Sequence, residues 1–350
     1  MVRGVILAAG LGSRLRPLTT HLPKPLVPVL NRPLLWHLIT RIKQTGILEI
    51  AINLHYQGEQ IRRWLGHGEH LGVEITYSEE PELLGSAGGV WRMRHFFGDE
   101  PVLIVHGDIL FDVDLSAVIQ YHLSRSANAT LVLHPAHHRY NYGKIGVNAQ
   151  GQIGQFVGEH ARGVYGPLID TVFTGIQVLD PAVLEAIPAG SGNSLTTAVY
   201  PGLLAKASRF YGYLMPGYWS DLGTPRRYWE TNMDVVGGRV GSAVDLFQDE
   251  FNRMLAPQPE ETMAAAIRPP VAFAPEIDWQ LDSQVGPEVI LGEGCQLAHD
   301  VRLVQSVIWP RVRVGRGATI ERSIVLNDVT IPDGSQLVEK IVSVEGIFDL

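Results

Sequence analysis

An α/β fold is predicted for this 350-residue chain: a doubly wound, mostly parallel sheet followed by a short left-handed parallel β-helix. Three observations predict it. Short apolar runs alternate with helical stretches, a glycine-containing loop follows the first run, and aliphatic residues recur at intervals of six beyond residue 285.

The elements follow in order. Gly4–Ala8 suits a buried strand. Pro33–Thr45 reads as a helix with proline in its first turn and Gly46 as its C-terminal cap. Leu48–Asn53, Val73–Tyr77 and Val102–Val105 then read as strands, with helices at Gln57–Leu65 and Ala87–Phe97 between them. In sheets of this kind ligands bind at the carboxyl ends of the strands. Thr171–Leu179 reads as a further strand and Arg226–Val235 as a helix.

The C-terminal third differs in character. From Gly237 to about Gln284 a proline-bearing stretch reads as a helix and an extended connector. After it come Val285, Leu291, Leu297 and Leu303, then, each time after a one-residue slip, Ile308 to Leu326 by sixes and Ile331 with Leu337. Hexads of this kind build about three β-helical coils, whose flat faces suit assembly. The expected domains are therefore 1–236, a helix and linker at 237–284, and a β-helix at 285–350.

Composition narrows the function. A net charge of −8 argues against nucleic acid as a partner, and no apolar run reaches the ~18–20 residues needed to span a bilayer. The single cysteine, Cys295, excludes an internal disulfide and fits a reducing compartment, so a soluble cytoplasmic protein is expected. The first 48 residues, however, hold seven Lys or Arg and no acid. Within them Gly10 and Gly12 open a loop whose backbone N–H groups can approach an anion, and Arg14, Arg16 and Lys24 supply cations. The loop is no dinucleotide fingerprint, since position 15 is Leu and no acid follows before Glu49. Nor is it a P-loop, since the lysine lies twelve residues past Gly12.

Residues Leu7 to Pro33 resemble the signature of the sugar-1-phosphate nucleotidyltransferases, and the resemblance runs from Val2 to about Asn232. It implies a nucleotide-binding sheet, a nucleoside triphosphate and a sugar 1-phosphate as substrates, and release of pyrophosphate. It implies that Arg14 and Lys24 act on phosphate groups, and that Ala8, Gly10, Gly12 and Ser13, with Leu84, Gly85, Ser86 and Ala87, bind the nucleotide. Asp108 and Asp221 match the family's metal-binding aspartates, and two carboxylates plus substrate phosphates suit Mg²⁺. Thr174 and Gly175 resemble the lining of the sugar pocket. Glu159 aligns with a sugar-phosphate residue, but His160 stands where many relatives carry lysine, and a neutral imidazole attracts a dianion less strongly.

The Leu84–Gly88 run and the Trp219–Pro225 motif resemble those of mannose-1-phosphate guanylyltransferases, which gives mannose 1-phosphate and GTP as the expected substrates. Ala8-Ala9-Gly10 resembles thymidylyl- and uridylyltransferases instead, which leaves glucose or amino-sugar 1-phosphates as the alternative. Two readings of another class stand beside these: a non-catalytic nucleotide-sugar-binding regulatory subunit, and an acyltransferase using the β-helix and its histidine, His299. A homo-oligomer is expected.

Overall fold

In the computed structural model, residues 2–135, 142–185, 187, 193–206, 208–241, 267–280 and 282–350 are described. The expected helix and part of the connector after Gly237 fall at 242–266, outside the described residues.

The N-terminal sheet is built outward from Arg3–Leu7, whose apolar residues are buried from both faces. Glu49–Leu54 and Val102–His106 flank it in parallel, and Glu74–Glu79 extends the parallel half beyond Glu49–Leu54. The helix Leu34–Gln44 covers one face, because Leu35, Leu38, Ile39 and Ile42 fall on one side at helical spacing and meet Ile6, Ile50 and Ile52. Every strand of the parallel half ends toward the same edge, which is where the phosphate-loop candidate begins.

Beyond Val102–His106 the direction changes. The eleven-residue strand Ile169–Leu179 runs antiparallel to it and organises the rest, pairing with Lys144–Val147 and with Ala129–His134. Phe210–Leu214 joins Ala129–His134 in parallel, and Ile153–Phe156 and Glu159–His160 close the far edge. The sheet is thus a parallel half joined to a largely antiparallel half. A register irregularity between Phe173 and Gln177 falls at Thr174 and Gly175.

A two-stranded ribbon stands apart from this sheet. Ile109–Phe111 pairs antiparallel with Trp219–Asp221, and Asp221 lies opposite Ile109. Residues more than a hundred positions apart in sequence are thereby brought side by side.

The C-terminal strands stack in three parallel columns, as hexapeptide-repeat β-helices do. Val285, Leu303, Ile320 and Leu337 occupy one column, Leu291, Ile308, Val325 and Val342 a second, and Leu297, Val314 and Ile331 a third. Two details differ from the sequence expectation. Val325, not Leu326, holds the second column, so the slip comes one residue earlier; Leu326 turns outward into the core shared with the first domain. The stack also begins at Val271–Phe273, inside the stretch read as a connector, and gives four coils closed by the hairpin of Lys340–Ser343 and Gly346–Asp349.

The two parts share one apolar core. Helix Pro225–Val236 presents Tyr228, Trp229 and Met233 to Ile290, Val307, Trp309 and Ile324 of the β-helix, and its other flank to Val27 and Leu30. Polar links reinforce the seam: the Trp309 indole N–H donates to the Tyr228 hydroxyl (2.8 Å), which donates to the Pro28 carbonyl (2.7 Å). The Trp229 indole donates to the Gln305 carbonyl (2.8 Å).

Two measurements test this architecture. Trp309→Ala removes a buried ring and the partner of Tyr228, and is expected to cost about 3–5 kcal/mol in denaturant unfolding. His37 and His122 are buried and burial lowers each pKa from 6.5 to about 4. Between those values the unfolded chain binds more protons, so stability is level above pH 6.5 and falls as pH drops toward 4, by on the order of 3 kcal/mol per histidine. Unfolding curves at pH 7 and pH 5 read this loss, and His122→Asn should reduce it.

Candidate functional site

At the carboxyl edge of the parallel strands a pocket of about 270 Å³ is lined by Ala8, Ala9, Gly10, Lys24, Asn53, Glu80, Gly85, Ser86, His106 and Asp108, among others. Of the residues expected from sequence, Ala8, Gly10, Lys24, Gly85, Ser86 and Asp108 therefore meet on one surface. Ser13 and Arg14 lie exposed on the turn after Gly10, and the Thr19 hydroxyl donates to the Gly12 carbonyl (2.8 Å) to fold that turn back.

The base of the pocket rests on a buried polar relay. Asn53, at the end of its strand, accepts from the Ala8 N–H (2.7 Å) and donates to Glu80 (2.7 Å). The second oxygen of Glu80 accepts from the Leu84 N–H (3.0 Å). The relay ties the start of the phosphate loop to the loop ahead of helix Gly85–Arg92. Gly89 makes room for it, since a Cβ there would lie 2.6 Å from Glu80 Oε1 and 2.8 Å from Asn53 Nδ2. Ser86 accepts from the Leu195 N–H (2.9 Å) and Ala87 is buried, so both also anchor the helix.

Asp108 and Asp221 stand at neighbouring positions of the ribbon, and the Leu222 N–H donates to the Asp108 carbonyl (2.9 Å). Each carboxylate has its own cation. Lys24, buried to 8 % exposure, donates to Asp108 (2.6 Å). Burial pushes the Asp108 carboxyl up, but Lys24, helped by His106 and Arg14, outweighs it and holds the group below the ordinary range. Arg227, from the first turn of helix Pro225–Val236, pairs with Asp221 and donates to the Tyr142 hydroxyl (2.6 Å), which itself donates to Asp221. Burial and the neighbouring Asp221 keep Tyr142 protonated.

Among the described residues no three His, Cys, Asp or Glu side chains converge as a metal cage. A pair of carboxylates that each require a cation fits a divalent ion that takes its remaining ligands from phosphate and water.

The other expected residues sit elsewhere. The buried Thr174 hydroxyl donates to the Val132 carbonyl (2.8 Å), while its own carbonyl accepts from the Trp219 indole (2.8 Å). Gly175 packs against the His106 ring. Glu159 and His160 are exposed on the edge strand and do not line the pocket. His299 is also exposed, on the β-helix, paired with Asp282 (2.8 Å). Asn53, His106, Tyr142 and Arg227 were not singled out from sequence, and Glu80 only as part of its loop. A polar Asn ending an apolar strand was the one available signal.

A glycine loop with cations and paired aspartates at the carboxyl edge of an α/β sheet defines a protein that handles phosphate esters. The family profile described as "Nucleotidyl transferase" matches residues 3–237, and the chain belongs to that family of enzymes. A second profile, "GlmU-like, C-terminal hexapeptide", matches residues 282–343. Among relatives, a UTP–glucose-1-phosphate uridylyltransferase of Synechocystis is 28% identical over 97% of this chain and 87% of its own length. A mannose-1-phosphate guanylyltransferase of Mycobacterium tuberculosis is 29% identical over 92% of this chain and 83% of its own. A crystal structure of a Bacillus anthracis protein put forward as a glucose-1-phosphate thymidylyltransferase superposes with a TM-score of 0.57 and 26% identity, covering 66% of this chain and 94% of that one. The relatives thus share a sugar-1-phosphate nucleotidyltransferase function and differ in base. No described helix is long and apolar enough to cross a membrane.

Asn53→Ala would leave the Ala8 N–H and one Glu80 oxygen without their partner in a buried setting. The expected loss is about 1–3 kcal/mol of stability, read by urea unfolding.

Proposed function

We propose that the chain joins GTP and mannose 1-phosphate to form a nucleotide sugar and pyrophosphate, with Mg²⁺ held by Asp108 and Asp221. The observation that carries the transferase chemistry is the meeting of both aspartates, through paired strand ends, with Lys24 from the phosphate loop. The relative from Mycobacterium tuberculosis, aligned across both domains, and the Leu84–Gly88 loop support the choice of base and sugar.

An oxygen of the sugar phosphate attacks the α-phosphorus in line, the bond from that phosphorus to the bridging oxygen breaks, and pyrophosphate leaves with the electron pair. Little covalent work falls to the protein. The Mg²⁺ supplies charge neutralisation for the phosphate oxygens. Lys24 and Arg14 place positive charge on the triphosphate side, and the Ala9–Ser13 loop would supply backbone N–H donors to it. The Asn53–Glu80 relay keeps the phosphate loop and the Leu84–Ala87 loop at a set separation, so that phosphate and base are held by one rigid frame.

A second reading, transfer from UTP or dTTP to glucose 1-phosphate, is favoured by Ala8-Ala9-Gly10 and by the Synechocystis relative. A panel of triphosphates crossed with sugar 1-phosphates, read by pyrophosphate release, separates the two. GTP with mannose 1-phosphate should lead the other bases by about tenfold or more in kcat/KM, since an unmatched buried donor or acceptor costs about 1–3 kcal/mol. A lead by dTTP or UTP with glucose 1-phosphate would overturn that choice. With the best pair, Asp108→Asn and Asp221→Asn should each lower kcat by several orders of magnitude while circular dichroism is unchanged; near wild-type rates would remove the residue from the mechanism.

A further inference from the structure

The arrangement around Arg227 goes beyond the expected site residues. Its guanidinium is held on two sides, by the Asp221 carboxylate and by the Tyr142 hydroxyl, and its side chain keeps 24% exposure. Gly223 permits the clasp, since a Cβ there would lie 2.7 Å from Asp221 Oδ2. From Tyr142 the contacts lead away from the phosphate loop: its ring meets that of Trp219, whose indole donates to the Thr174 carbonyl. Arg227 is thus linked through Tyr142 and Trp219 to the Thr174 carbonyl, whereas Lys24 holds Asp108.

Two anions must meet at this centre, and Lys24 and Arg14 serve only one of them. The residues expected to receive the second, Glu159 and His160, are exposed on the edge strand. Lys144, on the strand that pairs with Ile169–Leu179, is already paired with Asp170 (2.6 Å). A divalent ion on Asp221 and the Arg227 guanidinium compete for the same carboxylate oxygens. Once displaced, the guanidinium is a planar, permanently charged fork of the kind that grips phosphate through two hydrogen bonds.

We propose that Arg227 is the residue that binds the phosphate of the sugar 1-phosphate, and that without metal it occupies Asp221, so that metal loading releases it for substrate. The proposal rests on the transferase reading above and adds a binding residue to it.

The test uses the full chain with Arg227→Gln and Arg227→Lys, each checked by thermal melting. In substrate-free protein, Mn²⁺ titrated by electron paramagnetic resonance should bind Arg227→Gln at least about threefold more tightly than wild type, because Asp221 has lost its competitor. With the substrate pair that the wild type turns over, Arg227→Gln should raise the KM for the sugar 1-phosphate about tenfold or more and leave the KM for the triphosphate within about twofold. Arg227→Lys, which keeps the charge but not the fork, should fall between and serves in place of Arg227→Gln if that variant does not fold. Unchanged Mn²⁺ affinity would overturn the competition for Asp221. An unchanged sugar-phosphate KM, or a rise confined to the triphosphate, would overturn the phosphate role. If the wild type turns over no pair, the transferase reading fails, while the Mn²⁺ titration still decides the fate of Arg227 at Asp221.

Discussion

Two carboxylates cannot be brought to adjacent strand ends without compensating charge, and that constraint organises the molecule. Asp108 and Asp221 come from chain segments far apart in sequence, joined by the ribbon of Ile109–Phe111 with Trp219–Asp221. Their mutual repulsion is met from two directions: Lys24 arrives from the phosphate loop and Arg227 from the helix that follows Asp221. Lys24 is buried and Arg227 half-buried, and away from water a charge pair is worth more and a lone charge costs more than at the surface. The phosphate loop, the ribbon and helix Pro225–Val236 are therefore held to one another by the site itself.

The β-helix enters the same network through packing. Helix Pro225–Val236 carries Arg227 at its start and Tyr228 and Trp229 just beyond, so the turn that sets the Asp221 partner is the turn that contacts Trp309 and Gln305. On the other flank Tyr228 reaches Pro28, a few residues past Lys24. A displacement of the coils against this helix would be felt at both aspartate partners, because a close-packed core transmits strain instead of absorbing it. In this molecule the C-terminal stack is a wall of the nucleotidyltransferase half.

Much of this was legible locally. The glycine loop, Lys24, Asp108 and Asp221 each sit in a short, self-contained motif, and the strands and helices of the parallel half announce themselves by apolar run length and capping. What stayed hidden depends on long-range geometry. Apolar periodicity marks a strand but not its direction, so the antiparallel turn at Ile169–Leu179 left no trace. Val325 and Leu326 are adjacent aliphatics that are both buried on opposite sides of the coil wall, and pattern alone could not decide which faced the β-helix interior. Val271–Phe273 was masked by its prolines, whose turn signals outweigh a single strand. Tyr142 and Arg227 carry no motif, because what matters is that folding brings them to one carboxylate from positions 85 residues apart in sequence.

Specificity was the least legible level, for a physical reason that also explains why the relatives share chemistry but not substrates. Charge recognition of phosphates needs only cations and N–H donors at a strand edge, which the proposed function draws from the Gly10 loop, Lys24 and Arg227. Base recognition turns on a few neutral hydrogen bonds, which the proposed function draws in part from the backbone at Gly85 and Ser86, residues that line the pocket. Backbone groups are the same in every residue, so the sequence constrains them only through the loop's shape. That shape is set by the buried Asn53–Glu80 relay beneath it, and small changes in the relay could move a carbonyl by enough to favour one base over another without altering any residue that touches phosphate.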